Sequence, residues 1–150
     1  MSIAVKTTKS VPLQRIADML IGAREGGSNY WAEQIETVYP EGTNRLAERD
    51  ARGVADLLGR MSADDAAELM ADRSPFALYL LPFVPGGAWI VTVDEDAAKH
   101  TLDRARLETG LQIMADKYPK HFSDLVQEND DATTADVYLQ CCLFGEIVYG

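Results

Sequence analysis

The chain has 150 residues, 47% of them hydrophobic and 25% charged, which suits one globular domain with a real core rather than a disordered chain. Fourteen Lys and Arg stand against 24 Asp and Glu, a formal net charge of -10. That excess disfavours direct grip on nucleic acid, which needs a basic face, and fits either a basic partner or plain solubility.

Residues 1 to 9 read as a loose arm or an edge strand. The opening MSIAVKTTKSVPLQR lacks the apolar core of a signal peptide. Ser10 is the candidate cap of a first helix with Pro12 in its opening turn. Leu13, Ile16, Ala17, Leu20 and Ile21 follow the spacing of one buried stripe. Gly26 and Gly27 predict a left-handed stop near residue 25. The aromatic and β-branched stretch from Tyr30 to Tyr39 predicts a strand closed by the turn Pro40-Glu41-Gly42.

Residues 43–73 are charged, Ala-rich and helical in tone, with Leu46, Val54, Leu57, Leu58 and Met61 on one face. Ser62 with Asp65 forms a capping box for a second short helix. The segment reads as an amphipathic helical hairpin, a lid or an insertion into a simpler core. Phe76–Phe83 and Ala88–Val93 are strand candidates, and Lys99–Leu102 a short third strand after the turn Asp94-Glu95-Asp96. Asp103 caps a long helix whose stripe is Leu107, Leu111, Met114, Ala115 and Tyr118, with Leu102 and Leu107 as a hydrophobic staple. Pro119 breaks it, and 121–128 adds a further helical turn or two.

The last helix, 133–148, takes Thr133 as its N-cap and Asp136 as the capping-box partner. Val137, Tyr138, Leu139, Cys141, Cys142, Leu143, Phe144, Ile147 and Val148 make it apolar on nearly every side, so it belongs inside the fold. The expected architecture is a single α+β domain over 1–150. In it a small antiparallel sheet is packed by helices at 11–25, 103–118 and 133–148.

No run reaches the roughly 18 apolar residues of a membrane span. Cys141 and Cys142, adjacent in the buried helix, point apart and cannot form an ordinary disulfide, which predicts reduced thiols and a cytoplasmic protein.

Candidate chemistry is sparse. The loop Gly26, Gly27, Ser28, Asn29, Tyr30 and Trp31 is the candidate ligand site: glycines for close backbone approach, hydrogen-bonding side chains, and an aromatic stacking face. Its alternative is a helix stop followed by two core aromatics. Asp64, Asp65, Glu68 and Asp72 form the candidate partner-binding surface, acidic enough to occupy a basic nucleic-acid channel; they read equally as a solvated face. Asp94-Glu95-Asp96 and Asn129-Asp130-Asp131 extend that acidity in two loops. His121 with Asp124, Glu128, Asp130 and Asp131 matches no metal motif. His100, Asp103 and Glu108 are a weak acid–base set, and the cysteines read as inert. No catalytic residue, cofactor or metal is expected, and the balance leans away from an enzyme.

The segment Glu25–Trp31 resembles a family of small bacteriophage and prophage accessory proteins. The resemblance extends over Gly86-Gly87-Ala88, Gly110-Leu111, Met114–Phe122, Glu128–Asp131 and Asp136–Gly150, together about half the chain. Residues 43–73 depart from it, since a shorter link joins the two regions in the family. The resemblance implies an anti-defence (anti-CRISPR-like) accessory protein that inhibits a host protein or complex, and the expected means is non-enzymatic binding through acidic and aromatic surface; the acidity and the lack of an apolar span argue against direct contact with nucleic acid or a membrane. The alternative is a nucleotide-binding or nucleotide-sequestering protein that uses the Gly26–Trp31 loop. A homo-oligomer is compatible with either.

Overall fold

The computed structural model describes residues 10–43, 51–71, 76–93 and 97–150. The fold is α+β. Strands β1 (Ala32–Val38), β2 (Ala88–Val93) and β3 (Lys99–Leu102) form an antiparallel sheet in the order β1-β2-β3, with an irregularity in register between Ala32 and Gln34. The helices are α1 (Leu13–Gly22), α2 (Ala51–Gly59), α3 (Ala63–Leu69), α4 (Ala77–Leu80), α5 (Arg104–Lys117), α6 (Pro119–Val126) and α7 (Ala132–Phe144). No described helix is long and apolar enough to cross a membrane.

Helix α7 is the centre of the packing. Ten consecutive residues, Thr134 to Leu143, are buried, and α1, α5, α6 and β3 all touch the helix. Gly110 lets α5 come against it: a Cβ there would lie 2.7 Å from the Cα of Cys142 and 2.8 Å from its nitrogen. Tyr138 ties the same pair, its hydroxyl donating to the Leu107 carbonyl at 2.8 Å. Both cysteines are free and buried. Burial pushes the Cys141 thiol up to about 11 and the Cys142 thiol higher still.

Several local expectations hold. Ser62 accepts from the Asp65 N–H at 3.1 Å, and Asp103 from the Arg106 N–H at 3.1 Å. Leu102 and Leu107 are buried beside the latter cap. Thr43 N–H closes the predicted turn onto the Pro40 carbonyl, with Gly42 at φ 84°. Leu57 of α2 and Leu69 of α3 join the same buried cluster as the rest of the core. The arm at residues 1–9 and the turn Asp94-Glu95-Asp96 lie outside the described residues.

Other expectations are corrected. The first helix has Pro12, not Ser10, at its N-cap position, with no capping bond from that residue's side chain. Proline disfavours the helical region for the residue before it, so Val11 cannot open a helix. The stretch 76–83 is not a strand: α4 runs into a 3-10 turn, Leu81–Phe83. Nearly every side chain from Ala77 to Val84 is buried, so no periodicity separated helix from strand there. Gly26 and Gly27 form no left-handed stop either. The chain leaves α1 through a single π turn, Ala23–Gly27, with Gly26 extended at φ 164°. Gly27 serves instead for close approach, since a Cβ there would meet the Ala132 carbonyl oxygen at 2.5 Å.

The last helix is corrected at both ends. Asp131, not Thr133, is the N-cap, accepting from the Thr134 N–H at 3.0 Å. That bond and its hydroxyl partner hold the Asp131 carboxyl below the usual carboxylate range. The helix stops at Phe144 because Gly145 turns left-handed at φ 75° and its N–H caps the Cys141 carbonyl at 3.1 Å. Ile147 and Val148 therefore lie outside the helix and are exposed.

Candidate functional site

Asp136 sits one turn inside α7, buried at 6% exposure, and four side chains donate to its carboxylate. The Ser28 hydroxyl (2.8 Å) and the Trp31 indole N–H (2.7 Å) reach Oδ1. The Tyr30 hydroxyl (2.5 Å) and Gln140 Nε2 (3.1 Å) reach Oδ2. Three of these donors come from one four-residue turn, which can present them because its backbone closes on itself. Ser28 N–H bonds the Ala23 carbonyl at 2.9 Å, and the Trp31 and Ala32 N–H groups return to the Ser28 carbonyl at 3.2 and 2.9 Å. A carboxylate buried in an apolar helix needs such partners, and the loop supplies them.

Gln140, one turn further along α7, is fully buried and reads main chain. Its Oε1 accepts from the Val148 and Tyr149 N–H groups, each at 2.8 Å, and its Nε2 donates to the Tyr149 carbonyl at 3.0 Å. The Ile147 N–H donates to the Tyr118 hydroxyl at 2.8 Å. The segment 147–150 is thereby strapped across the loop. The Tyr149 ring lies parallel to Trp31, centroids 5.5 Å apart and planes 5° from parallel, and Phe144 meets both edge-on. Trp31 is left 1% exposed.

The six candidate loop residues thus differ in placement. Ser28 and Trp31 face inward and spend their donors on Asp136. Gly27 packs against α7, while Gly26 and Asn29 are exposed. Tyr30 does both: its ring is 54% exposed while its hydroxyl is engaged. Partial burial of that hydroxyl, and then its bond to Asp136, push the phenol up to about 12.

The acidic set on α3 and beyond is divided too. Asp64 is exposed. Asp65 pairs with Arg104 at 3.3 Å, and Glu68 accepts from the Leu13 N–H at 2.5 Å, capping α1 from a distance. Asp72 lies outside the described residues.

Compared with known proteins, the chain matches no family model, no curated protein and no solved structure.

The remaining candidates are spread apart. Among the described residues no three His, Cys, Asp or Glu side chains converge as a metal site. Asp130 is bonded by the Arg15 guanidinium, which also donates to the Leu125 carbonyl at 3.0 Å. His100 packs edge-on against Phe144, Asp103 is spent as a cap, and Glu108 pairs with Arg104 at 3.0 Å. Asp136 and Gln140 are the residues that sequence reasoning passed over, reading the first as a capping-box acid. The available signal was two polar side chains four apart on an otherwise apolar helix, which must share a face and find buried partners.

Proposed function

We propose that this chain is a phage- or prophage-encoded accessory protein of the bacterial cytoplasm, and that it acts by binding and inhibiting a host macromolecule rather than by catalysis. The observation that carries this reading is the surface over Gln140. Tyr30 (54% exposed) and Val148 (52%) are large exposed hydrophobics tied to one buried network, and Ile147 (37%), next to Val148, is bonded to the Tyr118 hydroxyl. The Tyr30 hydroxyl lies 3.4 Å from the Gln140 nitrogen, and the Val148 N–H is bonded to the oxygen of the same amide. Apolar and aromatic groups held in place before binding lose little entropy when a partner covers them, which is the character of an interface hot spot. The net charge of -10 adds attraction for a basic partner.

The experiment is recovery of the tagged chain from lysate of a bacterial host, with native mass before and after, and an inhibition assay on any partner recovered. Val148→Asp should weaken capture at least tenfold with the fold intact, since it places a charge in the apolar contact. Capture unaffected by Val148→Asp and by Tyr30→Ala would end the claim on this surface. Asp64→Lys tests the acidic contribution separately, because Asp64, unlike Asp65 and Glu68, is exposed on α3.

A second reading, nucleotide binding at Gly26–Trp31, draws on one observation: the Trp31 face already accepts a planar ring, that of Tyr149. It expects a thermal shift with a nucleotide, lost in Trp31→Ala.

A further inference from the structure

We infer that the floor beneath residues 147–149 is a peptide socket, occupied in this chain by its own strap and open in exchange to a short segment of a partner protein that turns two successive N–H groups to one acceptor and carries an aromatic residue at the second of them.

The resident segment shows what the socket reads. Four hydrogen bonds to described residues hold its main chain: the Ile147 N–H donates to the Tyr118 hydroxyl, the Val148 and Tyr149 N–H groups to Gln140 Oε1, and Gln140 Nε2 to the Tyr149 carbonyl. Any peptide that can turn two successive N–H groups to one side carries those groups, unless a proline or an N-alkylated residue removes a donor. Ile147 and Val148 leave their side chains exposed, so the first two positions are permissive. The third is not, because its ring must lie on Trp31 and against Phe144.

The floor and its occupant differ in how firmly they are held. Trp31 and Gln140 are each bonded to Asp136 independently of the strap. The strap belongs to no helix or strand and begins just beyond the left-handed Gly145. Exchange with a peptide of like chemistry remakes each bond that it breaks, so the obstacle is the high effective concentration of the tethered strap. Exchange carries Ile147 and Val148 away with the strap and leaves Tyr30, bonded to Asp136, as the contact shared with the surface described above. That such a partner is a host protein rests on the binding reading above; the socket itself does not.

The test uses purified full chain, as wild type and as Tyr149→Ala, titrated with the peptide acetyl-Glu-Ile-Val-Tyr-Gly-amide while the Trp31 indole N–H signal is followed by NMR. Tyr149→Ala should bind saturably, and the wild type at least about tenfold more weakly because its strap competes. Peptides with alanine for tyrosine, or with an N-methyl group on the tyrosine nitrogen, should each lose about tenfold or more. The inference is overturned if folded Tyr149→Ala shows no saturable binding up to millimolar peptide, or if the N-methylated peptide binds as well as its parent. It is equally overturned if nucleoside monophosphates, and not the peptide, move the signal. Should Tyr149→Ala fail to fold, Tyr149→Leu carries the same titration. Because no host component is present, failure here is distinct from failure to capture a host partner.

Discussion

Removing the Asp136 carboxylate should cost more stability than any surface change near it. In Asp136→Ala the Ser28 hydroxyl and the Trp31 indole N–H, at 0% and 1% exposure, lose the oxygen they share. An enclosed donor left without its acceptor costs about 1–3 kcal/mol, and alanine's better helix propensity returns about 0.5 kcal/mol. The net is about 2–5 kcal/mol. Tyr30 and Gln140 add less, since the exposed Tyr30 ring lets its hydroxyl turn to water and Gln140 keeps its strap partners. Asp136→Asn retains an oxygen for Ser28 and Trp31 but sets its NH2 against the Gln140 NH2, at a cost of about 1–2 kcal/mol. Urea unfolding reads both. At a slope near 2 kcal/mol per molar, Asp136→Ala should lower the midpoint by about 1–2.5 M with the slope unchanged, and Asp136→Asn by less. If Asp136→Ala lies within about 1 kcal/mol of wild type, or below Asp136→Asn in effect, the loop is not held by this carboxylate.

Gly110→Ala should destabilise by about 2 kcal/mol or more in the same assay. The gain in helix propensity is about 1 kcal/mol, but the new methyl group meets the Cys142 backbone at 2.7–2.8 Å and must push α5 from α7; a stabilised variant would show that the contact is loose. At pH 8 a disulfide reagent should label neither cysteine of the native chain and both in urea, because both thiols are buried and raised. Labelling of either native thiol at the rate of a free cysteine would contradict their burial. Asp131→Ala should cost about 1 kcal/mol at neutral pH as a lost cap. The Asp131 carboxyl is held below its ordinary value in the folded chain, so this difference should be complete above about pH 4 and vanish as pH falls through the lower folded value. A pH-independent difference would assign the effect to something other than the carboxylate.

Local chemistry was legible from the residues alone. Ser62 and Asp103 cap their helices, Pro119 breaks α5 from α6, and Lys99–Leu102 joins β2, as spacing and residue type predict; α6 starts at Pro119 itself rather than at 121. Burial of α7 followed from its composition, since a helix apolar on every side has nowhere else to go. The failed strand at 76–83 has a physical cause. Where side chains are uniformly apolar, as at 76–83, pattern carries no direction and tertiary contact decides. There α4 offers its Leu78 carbonyl to the Trp89 indole N–H at 2.9 Å.

The site shows the same division. That Gly26–Trp31 is a special loop and that α7 is a core helix could be read from each segment by itself. That the two meet could not, because Asp136 lies 105 residues from Trp31 and looked like one more acid near a helix start. Sequence determined which groups needed partners: a carboxylate and an amide four apart in an apolar helix, and a serine, a tyrosine and a tryptophan in one turn. Only the packing of the π turn and loop against α7, with Gly27 allowing close approach to its first turn, decided that they would be each other's partners.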